Sequence, residues 1–414
     1  MKVRKNRKRE YMKKTLTILQ INSLNFGSTG NIMLDIDKKL QEHGHNSLVA
    51  YAKSRTNKNK KLDNSILIGG IVERNLHIQL ASYTGLNGRF STFGTKRLLK
   101  EIDKVKPNVI HLHNLHNCYI NLEILFNYVK EKNIPVVWTL HDCWAFTGQC
   151  PHFTYVECNK WKTGCFECPQ YREYPSTRVD KTKEMYEFKK SVFTGVKNLV
   201  IVTPSSWLAE KVKISYLKEY PIRVINNGIN LDVFKPTYSD FRQSYNLSDK
   251  KIILGVANPW TKKKGLDIFL DLASSLDDSY KIVLVGLTSE QLESIPKNIL
   301  GLGRTGDQYK LAEIYSAADY FVNPSIEETM GLVTLEAIAC GTPVIVSNFT
   351  AVPEMVSKEC GLIVKDYSSE AFYNAIISNP TFDEENLLKW AKKFELNRKY
   401  DEYLDLYKTF KNKN

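Results

Sequence analysis

The feature that most constrains this chain is an alternation: short β-rich apolar runs separated by amphipathic stretches of helix length, carried through once and then begun again. The first set of runs covers residues 15–23, 47–53, 108–113, 134–140 and 198–203. Strands joined through helices pair in parallel, because each crossover returns the chain to the same end of the sheet. The alternation restarts at 251–257 and continues through 281–286, 320–323, 343–347 and 361–364. The chain has 414 residues, and a single hydrophobic core stops growing at roughly 250–300. The expectation is an α/β protein of two doubly wound, Rossmann-like domains whose facing sheet ends enclose a ligand cleft. The turn residues of NNGINLDVFKP (226–236) mark the linker. We place a basic leader at 1–14, the first domain at 15–236, the second at 237–384, and at 385–414 a charged terminal helix that can cross back to the first domain.

Composition removes other classes. Six Trp, 22 Tyr and 18 Phe argue against disorder, and no window approaches the ~18 consecutive apolar residues of a membrane-spanning helix. The leader KVRKNRKRE precedes a stretch holding Gln20 and Asn22 without a small-residue cleavage site, so it does not read as a secretory signal. A cytoplasmic protein is expected. The net charge of +13 is unevenly spread: residues 1–240 carry 38 Lys and Arg against 21 Asp and Glu, and residues 241–414 carry 20 against 24. A basic first half suits an anionic partner, since clustered cations raise the local anion concentration.

The segment most suggestive of chemistry is PSIEETMGLVTLEAIACGTPVIVSNFTAVPE (324–354), which follows a strand and sets Glu328 and Glu336 on either side of Gly331. Gly331 permits close approach of a ligand to the backbone. A helix beginning there turns the N–H groups of Gly331 and Leu332, and the positive end of its dipole, toward an anionic group. Glu336, about a turn into that helix, can accept two hydrogen bonds from a vicinal diol such as ribose.

This segment resembles the E-x7-E signature, with its AxxxGxPVI continuation, of the retaining GT-B glycosyltransferases of family 4. The resemblance runs through most of the chain: VIHLHN (109–114), LHDCW (140–144), TPSSWLAE (203–210), VINNGIN (224–230), KKKGLD (262–267), VLVG (283–286) and SAADYFVNPS fall in the family's order. It implies transfer of a sugar from a nucleotide-sugar donor (UDP- or GDP-sugar), bound mainly by the second domain, to an acceptor bound mainly by the first. Catalytic roles fall to Glu328 at the donor sugar, Lys264 at the leaving diphosphate and His141 on the acceptor side. Donor binding falls to Glu336, Gly331, Leu332 and Lys263, with Gly27 and Gly30 of the first loop near the diphosphate. The family's arginine before the lysine is replaced here by Ala257, Asn258 and Pro259, leaving Lys262 or Lys263 as the second cation; a lysine lacks the bidentate fork of arginine. No metal is implied for catalysis.

Five of the eight cysteines, Cys143, Cys150, Cys158, Cys165 and Cys168, lie within 26 residues directly after His141. In a cytoplasmic protein disulfides are disfavoured. The cluster fits either a structural zinc knuckle or reduced thiols packing beside Trp144, Phe146 and Trp161. It resembles a cysteine-rich segment of polysaccharide-building members of family 4, which points to bacterial capsule or exopolysaccharide synthesis of the colanic-acid type. The expected partners are a lipid-linked glycan acceptor and an anionic membrane surface, met peripherally through the leader and TKRLLKEIDKVK (95–106). The alternatives are a non-catalytic GT-B subunit, a nucleotide-sugar epimerase, or a transferase acting on nucleic acid, for which no recognised DNA-binding module is present.

Overall fold

The computed structural model describes residues 15–57 and 62–411; the basic leader lies outside them. The first sheet contains β1 (Thr17–Asn22), β2 (Asn46–Ala52), β3 (Ser65–Ile68), β4 (Val109–Leu112), β5 (Val136–Thr139), β6 (Leu199–Thr203) and β7 (Ile222–Val224), in the order β3-β2-β1-β4-β5-β6-β7. The second contains β8 (Lys251–Val256), β9 (Tyr280–Val285), β10 (Ile299–Leu302), β11 (Tyr320–Asn323), β12 (Val344–Ser347) and β13 (Gly361–Val364), in the order β10-β9-β8-β11-β12-β13. Every strand pair is parallel. Central strands β4, β5, β11 and β12 are buried throughout, as strands covered by helices on both faces must be. Strand order reverses between β1 and β4 and between β8 and β11, and the crevices beyond those strand ends are where such sheets bind ligands.

The changeover between domains falls earlier than residue 237. Ile225 packs with Ile18, Val109 and Val202 of the first domain, whereas Ile229, Val233 and Phe234 pack with Leu254 and Val283 of the second. Polar turn residues give 226–236 the look of a linker, but Ile229, Val233 and Phe234 are anchored in the second core, with Leu231 packed against it.

The chain crosses back once more. Helix Glu384–Ala391 packs on the second domain through Leu387 and Ala391. Helix Leu396–Lys411 then places Tyr400, Tyr403, Tyr407 and Phe410 in the core of the first. The two crossings are hydrogen-bonded to each other: Ile229 N donates to Phe394 O (2.8 Å), and Leu396 N donates to Ile229 O (2.9 Å). A Cβ at Gly228 would lie 2.4 Å from Leu396 Cα, so only glycine allows this approach.

Candidate active site

One wall of the cleft begins where β11 ends. Asn323 Nδ2 donates to Thr334 Oγ1 (2.9 Å) and Asn323 Oδ1 accepts from Ser325 N (3.2 Å), which ties the strand end to the helix Leu332–Ala339 across the intervening loop. Gly331 caps that helix at φ 81°, a left-handed conformation that favours glycine. First-turn N–H groups have no partner within their own helix, and those of Gly331 and Leu332 find no acceptor among the described residues.

Lys264 reaches this wall from the turn after β8. Gly265 sits at φ 74°, and a Cβ there would lie 2.3 Å from Pro324 Cγ, so the lysine turn rests directly on the loop after β11. Lys264 Nζ consequently lies 2.5 Å from Glu328 Oε1 and 3.4 Å from Glu327 O. Glu328 N is held by Thr350 Oγ1 at 3.0 Å. One turn into the helix, Glu336 accepts from Tyr315 OH (3.1 Å), and burial pushes its carboxyl up to about 7.

Two adjoining cavities open on this wall. One, of about 290 Å³, is lined by Ser28, Asn227, Lys264, Glu328, Gly331 and Leu332. The other, of about 600 Å³, is lined by Asn31, Gly286, Arg304, Thr305, Asp307 and Gln308. They share Val256, Ala257, Asn258 and Val333. Together they form a continuous cleft with a cation and free amides at one end and a roomier chamber at the other.

The opposite wall carries a chain of histidines. Gln20 Nε2 donates to Met33 O (3.1 Å), which turns Gln20 Oε1 toward His113 Nε2 (3.1 Å). A carbonyl oxygen only accepts, so His113 holds its proton on Nε2 and offers Nδ1 as an acceptor. His141 Nε2, 3.0 Å away, must donate to it. His141 Nδ1 is thereby left unprotonated, an acceptor for a hydroxyl. Burial drives the His141 pKa down to about 4 and that of His113 well below the ordinary value, so both rings are neutral at physiological pH. The domains touch here, since Thr329 Oγ1 donates to His141 O (2.9 Å).

Of the residues expected from sequence, Lys264, Glu328, Gly331 and Leu332 meet at one cavity, with Glu336 a turn along the same helix and His141 bonded across the domain junction. Lys263 is not among them. Its ammonium is taken by Glu173 (2.5 Å) and Glu327 (3.6 Å) at the domain junction. Lys262 is exposed. Gly27 has open space around its missing Cβ, whereas the Cβ position of Gly30 lies 2.9 Å from Asn25 C. The expected first loop is shorter than residues 25–31, because the helix Gly27–Glu42 already starts at Gly27; Gly30 packs that helix against the short turn before it, and Ser28 and Asn31 of its first turns face the cleft.

Sequence reasoning overlooked Asn227, whose buried Oδ1 has no partner in the fold, although it stands within a quoted motif. It also overlooked Arg304, exposed on the larger cavity with no ion pair among the described residues. The region after edge strand β10 carries no motif that could have signalled it. Glu327 was passed over beside Glu328; it accepts from Tyr155 N (2.9 Å) across the domains.

The cysteine-rich segment packs on the first domain's core through Cys143, Phe146, Cys150, Phe153, Trp161 and Cys165. Among the described residues no group of three or more His, Cys, Asp or Glu side chains is arranged to hold a metal ion, and all eight cysteines are free. The thiols pack among aromatic rings: Phe153 stacks on Trp161 at 4.7 Å, and Gly148 N donates to Cys165 Sγ. The segment reaches the second domain through Tyr155, whose N–H donates to Glu327, and Glu173, which pairs with Lys263, so it bridges the two domains.

Two parallel-sheet domains with a shared cleft of this kind define a GT-B fold. Residues 29–233 match the model of Glycosyltransferase Family 4, and residues 250–379 match that of Glycosyl transferases group 1; the chain has the GT-B fold of these glycosyltransferases. It is 29% identical over 269 residues to a putative colanic acid biosynthesis glycosyl transferase, WcaC, of Escherichia coli, covering 63% of this chain and 64% of that one. It is 33% identical over 160 residues to the N,N'-diacetylbacillosaminyl-diphospho-undecaprenol alpha-1,3-N-acetylgalactosaminyltransferase of Campylobacter jejuni, 36% of this chain and 42% of that one. The matches thus span less than two thirds of either relative. Among solved structures, Anabaena HepE in complex with UDP and glucose superposes with a TM-score of 0.64 at 14% identity, covering 95% of this chain and 100% of that one. Among the described residues no helix is long and apolar enough to cross a membrane.

Proposed function

We propose that this protein transfers a sugar, with retention of anomeric configuration, from a nucleotide-sugar donor to a lipid-linked glycan in bacterial surface polysaccharide synthesis. The observation that carries the reading is the Lys264–Glu328 pair beside the free Gly331 and Leu332 amides, facing His141 across the domain junction. The relatives' printed roles, colanic acid synthesis and transfer to a diphospho-undecaprenol sugar, support the acceptor class, and the UDP-bound neighbour supports a UDP-sugar donor.

In this reading the nucleotide occupies the larger cavity, with Glu336 accepting from the ribose hydroxyls and Arg304 beside the nucleotide. The diphosphate meets Lys264 and the helix end, so no metal is required. Glu328, with one oxygen on Lys264, accepts a hydroxyl of the donor sugar through the other. His141 Nδ1 accepts from a second sugar hydroxyl. The acceptor hydroxyl attacks the anomeric carbon from the face that the leaving phosphate departs; the C–O bond to phosphate breaks as the new one forms, and the proton passes to the leaving phosphate oxygen. No enzyme carboxylate acts as nucleophile. The protein works in the cytoplasm, peripherally on the membrane.

The test is incubation of purified protein with UDP-, GDP- and dTDP-sugars and a lipid-diphosphate acceptor, with EDTA present, following nucleotide release. Acceptor-dependent release of one nucleotide is expected. If no nucleotide sugar is bound or turned over, the reading fails.

A further inference from the structure

The first domain holds a separate cavity, away from the two that open on the cleft, that the reaction as described leaves unused. It has a volume of about 470 Å³ and lies between the loop after β2 and the helix Ile71–Thr84, with Lys53, Arg55 and Arg74 in its lining and no carboxylate. None of the three cations has an ion pair among the described residues. Arg74 Nε is buried without a hydrogen-bond partner, an arrangement that costs free energy unless a ligand completes it. The loop is pre-shaped: Ser54 N donates to Asn57 Oδ1 (2.7 Å), Asn57 N to Ser54 Oγ (3.2 Å) and Asn57 Nδ2 to Ala52 O (3.1 Å).

About a third of a turn round the same helix from the cavity-lining residues, at 100° per residue, lies an exposed apolar stripe. Val72 is 82% exposed, Leu76 53% and Tyr83 58%. The Glu73 carboxylate accepts from Gly94 N (3.0 Å), bringing the neighbouring Phe93, 83% exposed, to the same end. A cavity lined by three cations, with an uncovered apolar stripe on the same helix, matches an amphiphile whose head is a phosphate. Toward the cleft, Tyr174 OH pairs with His116 Nδ1 (3.0 Å), and His116 Nε2 with Asp142 (2.9 Å), next in sequence to His141.

Resting on the transferase reading above, we propose that Lys53, Arg55 and Arg74 bind the diphosphate of the lipid-linked acceptor, while Val72, Leu76, Tyr83 and Phe93 seat its lipid chain at the membrane surface. The head group is then held while the attached sugar extends along the His116 side toward His141.

The experiment is calorimetric titration of the full chain with farnesyl diphosphate and with inorganic pyrophosphate, with UDP and GDP binding measured in parallel. Farnesyl diphosphate is expected to bind about tenfold or more tightly than pyrophosphate, a difference of about 1.4 kcal/mol, and not to be displaced by either nucleotide. Arg55→Glu combined with Arg74→Gln should weaken it at least about tenfold, and Val72→Ser with Leu76→Ser should erase its advantage over pyrophosphate, each leaving nucleotide binding unchanged. Arg55→Glu alone, at an exposed position, serves if the double variant does not fold. Retained binding in these variants, or displacement by UDP or GDP, overturns the proposal. Equal affinity for the two probes assigns the cavity to free phosphate and overturns the lipid assignment. Loss of farnesyl diphosphate binding in the unmodified chain with nucleotide binding intact defeats this proposal alone; absence of nucleotide binding defeats the transferase reading.

Discussion

His113 and His141 lie with their rings nearly parallel, 12° apart, and the Nδ1 of one 3.0 Å from the Nε2 of the other. Because Gln20 determines which nitrogen of His113 carries the proton, a side chain on the first strand sets the hydrogen-bonding sense of a ring in the cleft. His113 is thus a positioning residue. His113→Ala should lower kcat about tenfold, the worth of one such hydrogen bond, without changing nucleotide affinity. His113→Asn, which can offer its carbonyl oxygen to His141, should restore part of the loss. Equal loss in both variants would show that only packing is involved.

Glu336 titrates in a useful range. Its carboxyl, raised to about 7 by burial, is partly protonated near neutrality, and a protonated acid accepts from a diol less well than a carboxylate. Nucleotide affinity should therefore rise several-fold between about pH 6 and pH 8, with proton release on binding. In Glu336→Gln both the affinity and its pH dependence should drop. Calorimetry in buffers of differing ionisation enthalpy reads both.

The Lys264–Glu328 pair makes a joint contribution. Each alanine substitution should cut turnover about a hundredfold or more, as loss of a charged group at the reacting centre does. The double variant should lose much less than the product, since each group orients the other. Multiplicative losses in steady-state kinetics would mean the two act independently.

Acid should destabilise the fold. His77 and His141 are lowered to about 4, and His111, His113 and His152 are also lowered, in each case chiefly by burial. The unfolded chain then binds more protons than the folded one below about pH 6.5. Stability from these groups is present above that value and is lost as pH falls toward 4. Glu336 and Asp35, raised to about 7 and about 6, and Asp37, also raised by burial, work in the opposite sense in this range but are fewer. Thermal melts from pH 7 to about pH 4 should show a falling Tm.

The returning helix should be required by the first domain. Tyr407 OH pairs with His111 Nδ1 at 2.7 Å, and Tyr403 OH with Thr139 Oγ1 at 3.1 Å, both buried. Tyr407→Phe leaves a buried imidazole nitrogen unsatisfied and should cost about 1–3 kcal/mol in denaturant unfolding. An unchanged midpoint would show that the helix is merely appended.

The central strands were legible because burial on both faces writes them as unbroken apolar runs, and the five runs of the first half and five of the second all became strands. Three of the four sheet-edge strands, β3, β7 and β10, were not, their residues being largely part-exposed; the fourth edge, β13, was legible as the run GLIV. The Glu328–Gly331–Glu336 spacing determined one wall of the cleft, since a strand end, a glycine cap and one helical turn are local geometry. The fate of the lysines was not local. Lys263 and Lys264 are adjacent in sequence, yet one is drawn to Glu173 and the other to Glu328, and only the seating of the cysteine-rich segment across the domain junction separates them. The same holds for the Gln20–His113–His141 chain and for the cations around Arg74. Sequence pattern dictates which residues lie on a face or at a strand end, because those depend on backbone period. Which charge finds which partner depends on contacts between segments far apart in the chain, and these exist only once both domains have folded and docked.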